Sequence, residues 1–70
     1  MTLKFRVEDI DCANCAAKME RAIAKLPGAD RVNLSFMTGL LTVETEREDM
    51  ADAVTALIAK REPDWRVRLL

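Results

Sequence analysis

A four-stranded antiparallel sheet with two helices packed on one of its faces is the α+β fold that this sequence predicts. Three observations lead to it: four stretches in which apolar and polar residues alternate, two in which apolar residues recur every three to four positions, and an order along the chain that reads βαββαβ.

Leu3, Phe5 and Val7 alternate with Lys4, Arg6 and Glu8, which predicts a strand over about residues 2 to 8 with one buried face. Asp9-Ile10-Asp11-Cys12 breaks the alternation. From about Asn14, Ala16, Met19, Ile23 and Leu26 fall on one helical face while Lys18, Arg21 and Lys25 fall elsewhere. Pro27-Gly28 stops that helix, because proline cannot continue it and glycine suits the turn beyond its end. Val32, Leu34 and Phe36, the turn Met37-Thr38-Gly39, and then Leu41 and Val43 predict a β-hairpin. Thr45 and Glu48 have capping-box spacing, so a second helix is expected over about 47 to 61, with Met50, Val54, Leu57 and Ile58 on its apolar face. Pro63-Asp64 ends it, and Trp65, Val67 and Leu69 alternate with Arg66 and Arg68 in a last strand.

Two one-sided helices and four one-sided strands, joined without a linker or low-complexity tract, are buried most economically as a single sheet under two helices. This is the ferredoxin-like βαββαβ sandwich, expected to form one domain over residues 1–70. Its usual strand order makes the first and last strands neighbours and gathers Lys4, Arg6, Arg66 and Arg68 on the open face. Charges are ordinary occupants of such a face, with Glu8 and Glu44 as local counter-charges.

A chain of 70 residues hides only about 60% of its unfolded surface, which leaves no room for a large active-site cavity. The isolated domain is not expected to be an enzyme. A formal net charge of -1 gives no field that would steer it to nucleic acid or an anionic membrane. The sequence has no histidine, so the commonest zinc ligand and general base are missing and any chemistry falls to thiols and carboxylates. No apolar run approaches the roughly 20 residues that span a bilayer. The alternating N-terminus is unlike a signal peptide, so a reducing cytoplasmic setting and a monomer are expected, with the two cysteines as ligands or redox groups.

The informative stretch is Asp11-Cys12-Ala13-Asn14-Cys15. Cys12 falls on the loop after the first strand and Cys15 in the first turn of the helix, a separation at which both sulfurs can turn toward one ion. A helix N-terminus offers free N–H groups and a positive dipole end, both of which favour the thiolate that ligation needs. Thioredoxin-like redox pairs also follow a strand and open a helix, so a dithiol oxidoreductase stands as an alternative of another class. Asp11 argues against it, since a carboxylate beside a thiol opposes thiolate formation unless a cation reverses the balance. RNA binding on the open sheet is weak, because that sheet lacks stacking aromatics.

With Cys12-Ala13-Asn14-Cys15, Leu26-Pro27-Gly28 and Val32-Asn33-Leu34 in place, the whole chain resembles a heavy-metal-associated domain, the module of metallochaperones and of the N-termini of heavy-metal P-type ATPases. That family usually has Gly-Met where this chain has Asp9-Ile10. Copper members resemble one another in a Thr or Ser before the first cysteine and often a Lys-x-Gly-Tyr/Phe loop before the last strand. Here Asp11 and Arg61-Glu62-Pro63-Asp64-Trp65 stand in those places. Asp-Cys-x-x-Cys is similar to the domains of zinc, cadmium and lead exporting ATPases, and the resemblance implies Asp11 as a third ligand beside Cys12 and Cys15.

Coordination chemistry points the same way. Two thiolates satisfy copper(I), and a carboxylate adds an unneeded hard anion, whereas zinc(II) with two thiolates is neutral and short of its four ligands. The competing role for Asp11 is to cap the helix. Glu62 is a possible extra ligand on the loop that returns to the site; Asp64 is a weaker one, and Trp65 is expected to shield the site. Met19 and Met50 read as core and Met37 as a turn residue. The expected function is capture of one divalent ion, zinc first, then cadmium or lead, for transfer to, or regulation of, the membrane transport domain of a heavy-metal P-type ATPase in the same chain or another. The closest alternative keeps the fold and carries copper(I) or mercury(II) on the two cysteines alone.

Overall fold

The computed structural model describes residues 1–70. Its elements are β1 (Thr2–Glu8), α1 (Ala13–Ala24), β2 (Ala29–Leu34), β3 (Leu40–Thr45), α2 (Met50–Arg61) and β4 (Arg66–Leu69). The four strands form one sheet in the order β2-β3-β1-β4. Every neighbouring pair is antiparallel. The ferredoxin-like sandwich expected from the periodicities is therefore the fold, with β1 and β3 at its centre.

The core forms where the apolar faces meet. Phe5, Val7, Leu34, Leu41 and Val43 from the sheet pack with Ala16, Met19 and Ile23 of α1, with Met50, Val54 and Ile58 of α2, and with Trp65. Each large side chain buried there stabilises the fold by about 1.5–3 kcal/mol before entropy is counted. Phe5 and Leu41, both fully buried, face each other across β1 and β3, so the core lies directly under the central strands.

Three local expectations need correction. Helix α2 starts at Met50, and its N-cap is Asp49, which makes no side-chain cap hydrogen bond. Thr45 is instead the buried last residue of β3. Its N–H donates to the Met1 carbonyl at 2.9 Å, while its hydroxyl accepts from the Arg47 N–H at 3.0 Å, so sheet pairing outweighs the capping box. Arg47 then grips Asp49 through Nε at 2.9 Å and Nη2 at 2.7 Å, and donates to the Pro27 carbonyl.

The second correction is Phe36, which lies in the β2–β3 turn and is 40% exposed. The ladder ends because the turn closes early, with the Gly39 N–H on the Ser35 carbonyl at 2.8 Å. Gly39 has φ +74°, and a Cβ there would sit 2.6 Å from the Val7 carbonyl oxygen, so only glycine lets this turn lie against β1. Third, the expected counter-charges act only in part, Glu8 standing across from Arg66 without forming an ion pair and Glu44 pairing outside the four cations. Arg6 stands opposite Arg68 and Glu8 opposite Arg66. The molecule's ion pairs are Met1–Glu46, Arg31–Glu44 and Arg47–Asp49, so Glu44 serves Arg31 and Glu8 pairs with none of the four cations.

The topology places three connections at one end of the sheet. The segment from β1 to α1 leaves from Glu8, the α2–β4 connection enters beside it at Arg66, and the Val7 N–H bonds the Gly39 carbonyl of the β2–β3 turn at 2.8 Å. The cysteines belong to the first of these.

Candidate metal centre

The loop that delivers the cysteines begins with a left-handed residue. Asp9 has φ +69°, the region that favours glycine and that aspartate tolerates better than most side chains. Asp9 thus supplies the same kind of turn that a glycine would, and Ile10 folds back against the core. Asp9→Gly is expected to stabilise the protein by about 0.5–1 kcal/mol by relieving that backbone. Urea denaturation measures it, and a loss of stability would mean that the aspartate side chain holds the loop.

Cys12 is extended, with φ -159° and ψ 145°, and is the N-cap of α1. Its sulfur accepts the Cys15 N–H at 3.0 Å, and its carbonyl accepts the Ala16 N–H at 3.1 Å. The capping role that competes with ligation for Asp11 therefore falls to Cys12. Both cysteines are free thiols and half-buried, so their sulfurs are reachable yet fixed by the helix start.

The Cys15 thiol is pushed up to about 11. Its hydrogen bond with Cys12 is the main cause, followed by burial and then by the negative charge of Cys12, Asp11 and Glu62. For Cys15 these neighbours override the helix dipole, which was expected to favour the thiolate. A cation between the sulfurs reverses the balance, because the same anions that hold the proton attract the ion that replaces it.

The flanking oxygens are placed differently from one another. Asp11 is exposed on the loop, while Glu62 is the half-buried C-cap of α2, its N–H on the Ile58 carbonyl at 2.8 Å. No group of three or more cysteine and carboxylate side chains is gathered at metal-holding spacing. The fold thus preorganises two sulfurs and leaves Asp11 and Glu62 at their margin. This donor set fits one thiophilic ion. Trp65 is 6% exposed and belongs to the core, as do Met19 and Met50, whereas Met37 is 87% exposed on its turn.

Beside Cys15 lies an open groove of about 220 Å³ lined by Cys15, Lys18, Met19, Arg61 and Glu62. Asp64 does not line it. Lys18 and Arg61 were not singled out in the sequence. Lys18 carries a usable signal, since it follows Cys15 by three residues on one helix face. Arg61 reaches the groove only because α2 ends there.

No helix is long and apolar enough to cross a membrane. The model of the heavy-metal-associated domain matches residues 4–62. The zinc/cadmium/lead-transporting P-type ATPase of Escherichia coli K12 is 36% identical over 53 residues, which is 76% of this chain and 7% of that protein. A probable copper-transporting ATPase, PacS, of Synechocystis is 37% identical over 57 residues, covering 76% of this chain and 8% of the relative. The chain thus spans under a tenth of the length of these two transporters. Among solved structures, the N-terminal domain of ZntA in its Zn(II) form superposes with a TM-score of 0.79 at 29% identity, covering 97% of this chain and 89% of that one. The thiol pair at the start of α1, on this fold and with these relatives, makes the chain a member of the heavy-metal-associated domain family.

Proposed function

We infer that the domain captures one divalent soft or borderline ion, zinc first and cadmium or lead next, on Cys12 and Cys15 with Asp11 as a third donor. It passes that ion to, or regulates by occupancy, the transport domain of a heavy-metal P-type ATPase on the cytoplasmic side of a membrane. The observation that carries this reading is the fixed pair of half-buried sulfurs with a carboxylate directly before the first. Two thiolates leave a divalent ion neutral and under-coordinated, so an incoming donor can bind before a resident one leaves. Transfer then needs no free ion and no covalent catalysis.

Copper(I) capture on the two sulfurs alone is the second reading, favoured by the copper-transporting relative and by the lack of a gathered third donor. A dithiol oxidoreductase fits less well, because the Asp11 carboxylate directly before Cys12 opposes thiolate formation unless a cation reverses the balance.

Competitive titration of the reduced protein with zinc, cadmium, lead and copper(I), followed by thiolate-to-metal absorption, tests the inference. One ion per chain is expected, with the divalent ions retained against copper(I) better than by a domain lacking the aspartate. Because the Cys15 proton must leave, apparent affinity should fall by about tenfold or more for each unit the pH is lowered from 8 to 6. A flat pH profile, or a stoichiometry other than one, would count against capture by this pair.

A further inference from the structure

The groove beside Cys15 has a chemistry that metal capture by the cysteines does not use. Its floor is Met19, 2% exposed, and its rim carries two cations, Lys18 and Arg61, and one carboxylate, Glu62. None of these three takes part in the molecule's ion pairs. At about 220 Å³ the groove is smaller than the roughly 300–1,000 Å³ of sites for drug-sized molecules, so it suits a ligand of amino-acid size.

We propose that this groove binds a low-molecular-mass thiol bearing a carboxylate and an ammonium group, whose sulfur occupies the open coordination position of the ion held at Cys12 and Cys15. The inference rests on the proposed capture of a divalent ion by that pair. Arg61 and Lys18 receive the carboxylate, with the guanidinium able to grip both oxygens. Glu62 faces the ammonium group, and Met19 takes the methylene carbons. In the binding step the thiol loses its proton to solvent, a sulfur–metal bond forms and a metal-bound water departs; no electron changes hands. The added thiolate takes the site from a formal charge of -1, with Asp11 as third donor, to -2, and the two rim cations offset that charge.

A small thiol of this kind would fill the labile position until a transfer partner arrives, which distinguishes the groove from a mere electrostatic collar around the ion. A collar would respond to a thiol's net charge alone. The groove should prefer one that carries both charged groups.

The test uses cadmium-113 bound to the whole protein and titrates in cysteine, glutathione or 2-mercaptoethanol, reading the cadmium chemical shift, which reports the number of sulfur ligands. In the wild type, cysteine is expected to produce the added-sulfur signal at a concentration about tenfold or more below that of 2-mercaptoethanol. In the Lys18→Gln, Arg61→Gln double variant, with both changes at exposed positions, that advantage should shrink by about tenfold, to what thiol acidity and chelation by the ligand's own amine give without the groove. Glutathione behaving like cysteine would make the ligand class thiol peptides as well as thiol amino acids, and glutathione behaving like 2-mercaptoethanol would confine it to amino acids. An advantage unchanged in the double variant, or removal of cadmium from the protein with no added-sulfur signal, overturns the proposal. If the wild type fails to hold one cadmium in the absence of small thiol, the capture reading itself falls, and that failure is visible before any thiol is added.

Discussion

Replacing Cys12 and Cys15 together with serine is expected to lower the affinity for every soft or borderline ion by about a thousandfold or more, while the protein stays folded. Hydroxyl oxygen is hard and remains protonated at neutral pH, so it offers such an ion neither charge nor polarisability. The fold survives because neither side chain is a pillar of the core: both are half-buried, and serine is a favoured N-cap that can take over from the Cys12 sulfur the N–H of residue 15. Thermal unfolding makes the contrast measurable. Metal at a hundred times its Kd should stabilise the wild type by about 2.7 kcal/mol, raising the Tm of a domain this size by roughly 10–20 °C. The double serine variant should show a metal-free Tm close to wild type and no metal-dependent rise. Retention of wild-type uptake by that variant would remove the pair from the mechanism.

Asp11→Ala is expected to act in opposite directions on two ions. Zinc or cadmium affinity should drop about 10- to 100-fold, because a divalent ion loses an anionic oxygen and gains at best a water. Copper(I), content with two thiolates, should bind as well or better. Asp11 is also one of the anions that hold the proton on Cys15, so its loss eases the proton competition that both ions face. The measured ratio of the two affinities therefore separates ligation from simple field effects. If zinc and copper(I) affinities rose together, Asp11 would be acting only through its charge, and the copper(I) reading would gain. The exposed position of Asp11, outside any gathered three-donor cluster, means that the loop must supply the last part of its approach to the ion.

Much of this protein was readable because the relevant information is local. The period-2 stretches around Phe5, Leu41 and Val67 became strands, and the three-to-four spacing of Ala16, Met19 and Ile23 became the buried face of α1. The cysteine pair was equally legible, since both sulfurs are fixed by three residues of sequence and one helix start. The misreadings share a physical cause. Thr45 has the side chain and spacing of a helix cap, yet its backbone is committed to Met1 across the sheet. Phe36 continues an apolar alternation whose ladder stops two residues earlier, because the turn built on Gly39 must clear the Val7 carbonyl. In both cases a hydrogen bond to a distant part of the chain outweighs the local preference.

What the sequence determined alone is the order of elements, the faces they bury and the placement of two thiols at the start of α1, all of which follow from spacings shorter than one helical turn or one strand. Only the tertiary structure decided that Cys12 rather than Asp11 caps α1, that Asp9 takes up a left-handed turn, and that Lys18 and Glu62, 44 positions apart by their numbers, border the same groove beside Cys15. The reason is that α1 and α2 lie side by side on one face of the sheet, so the end of one helix meets the start of the other. No periodicity along the chain encodes that meeting; it exists once β4 has paired with β1 and drawn the last connection to the end where the cysteines sit.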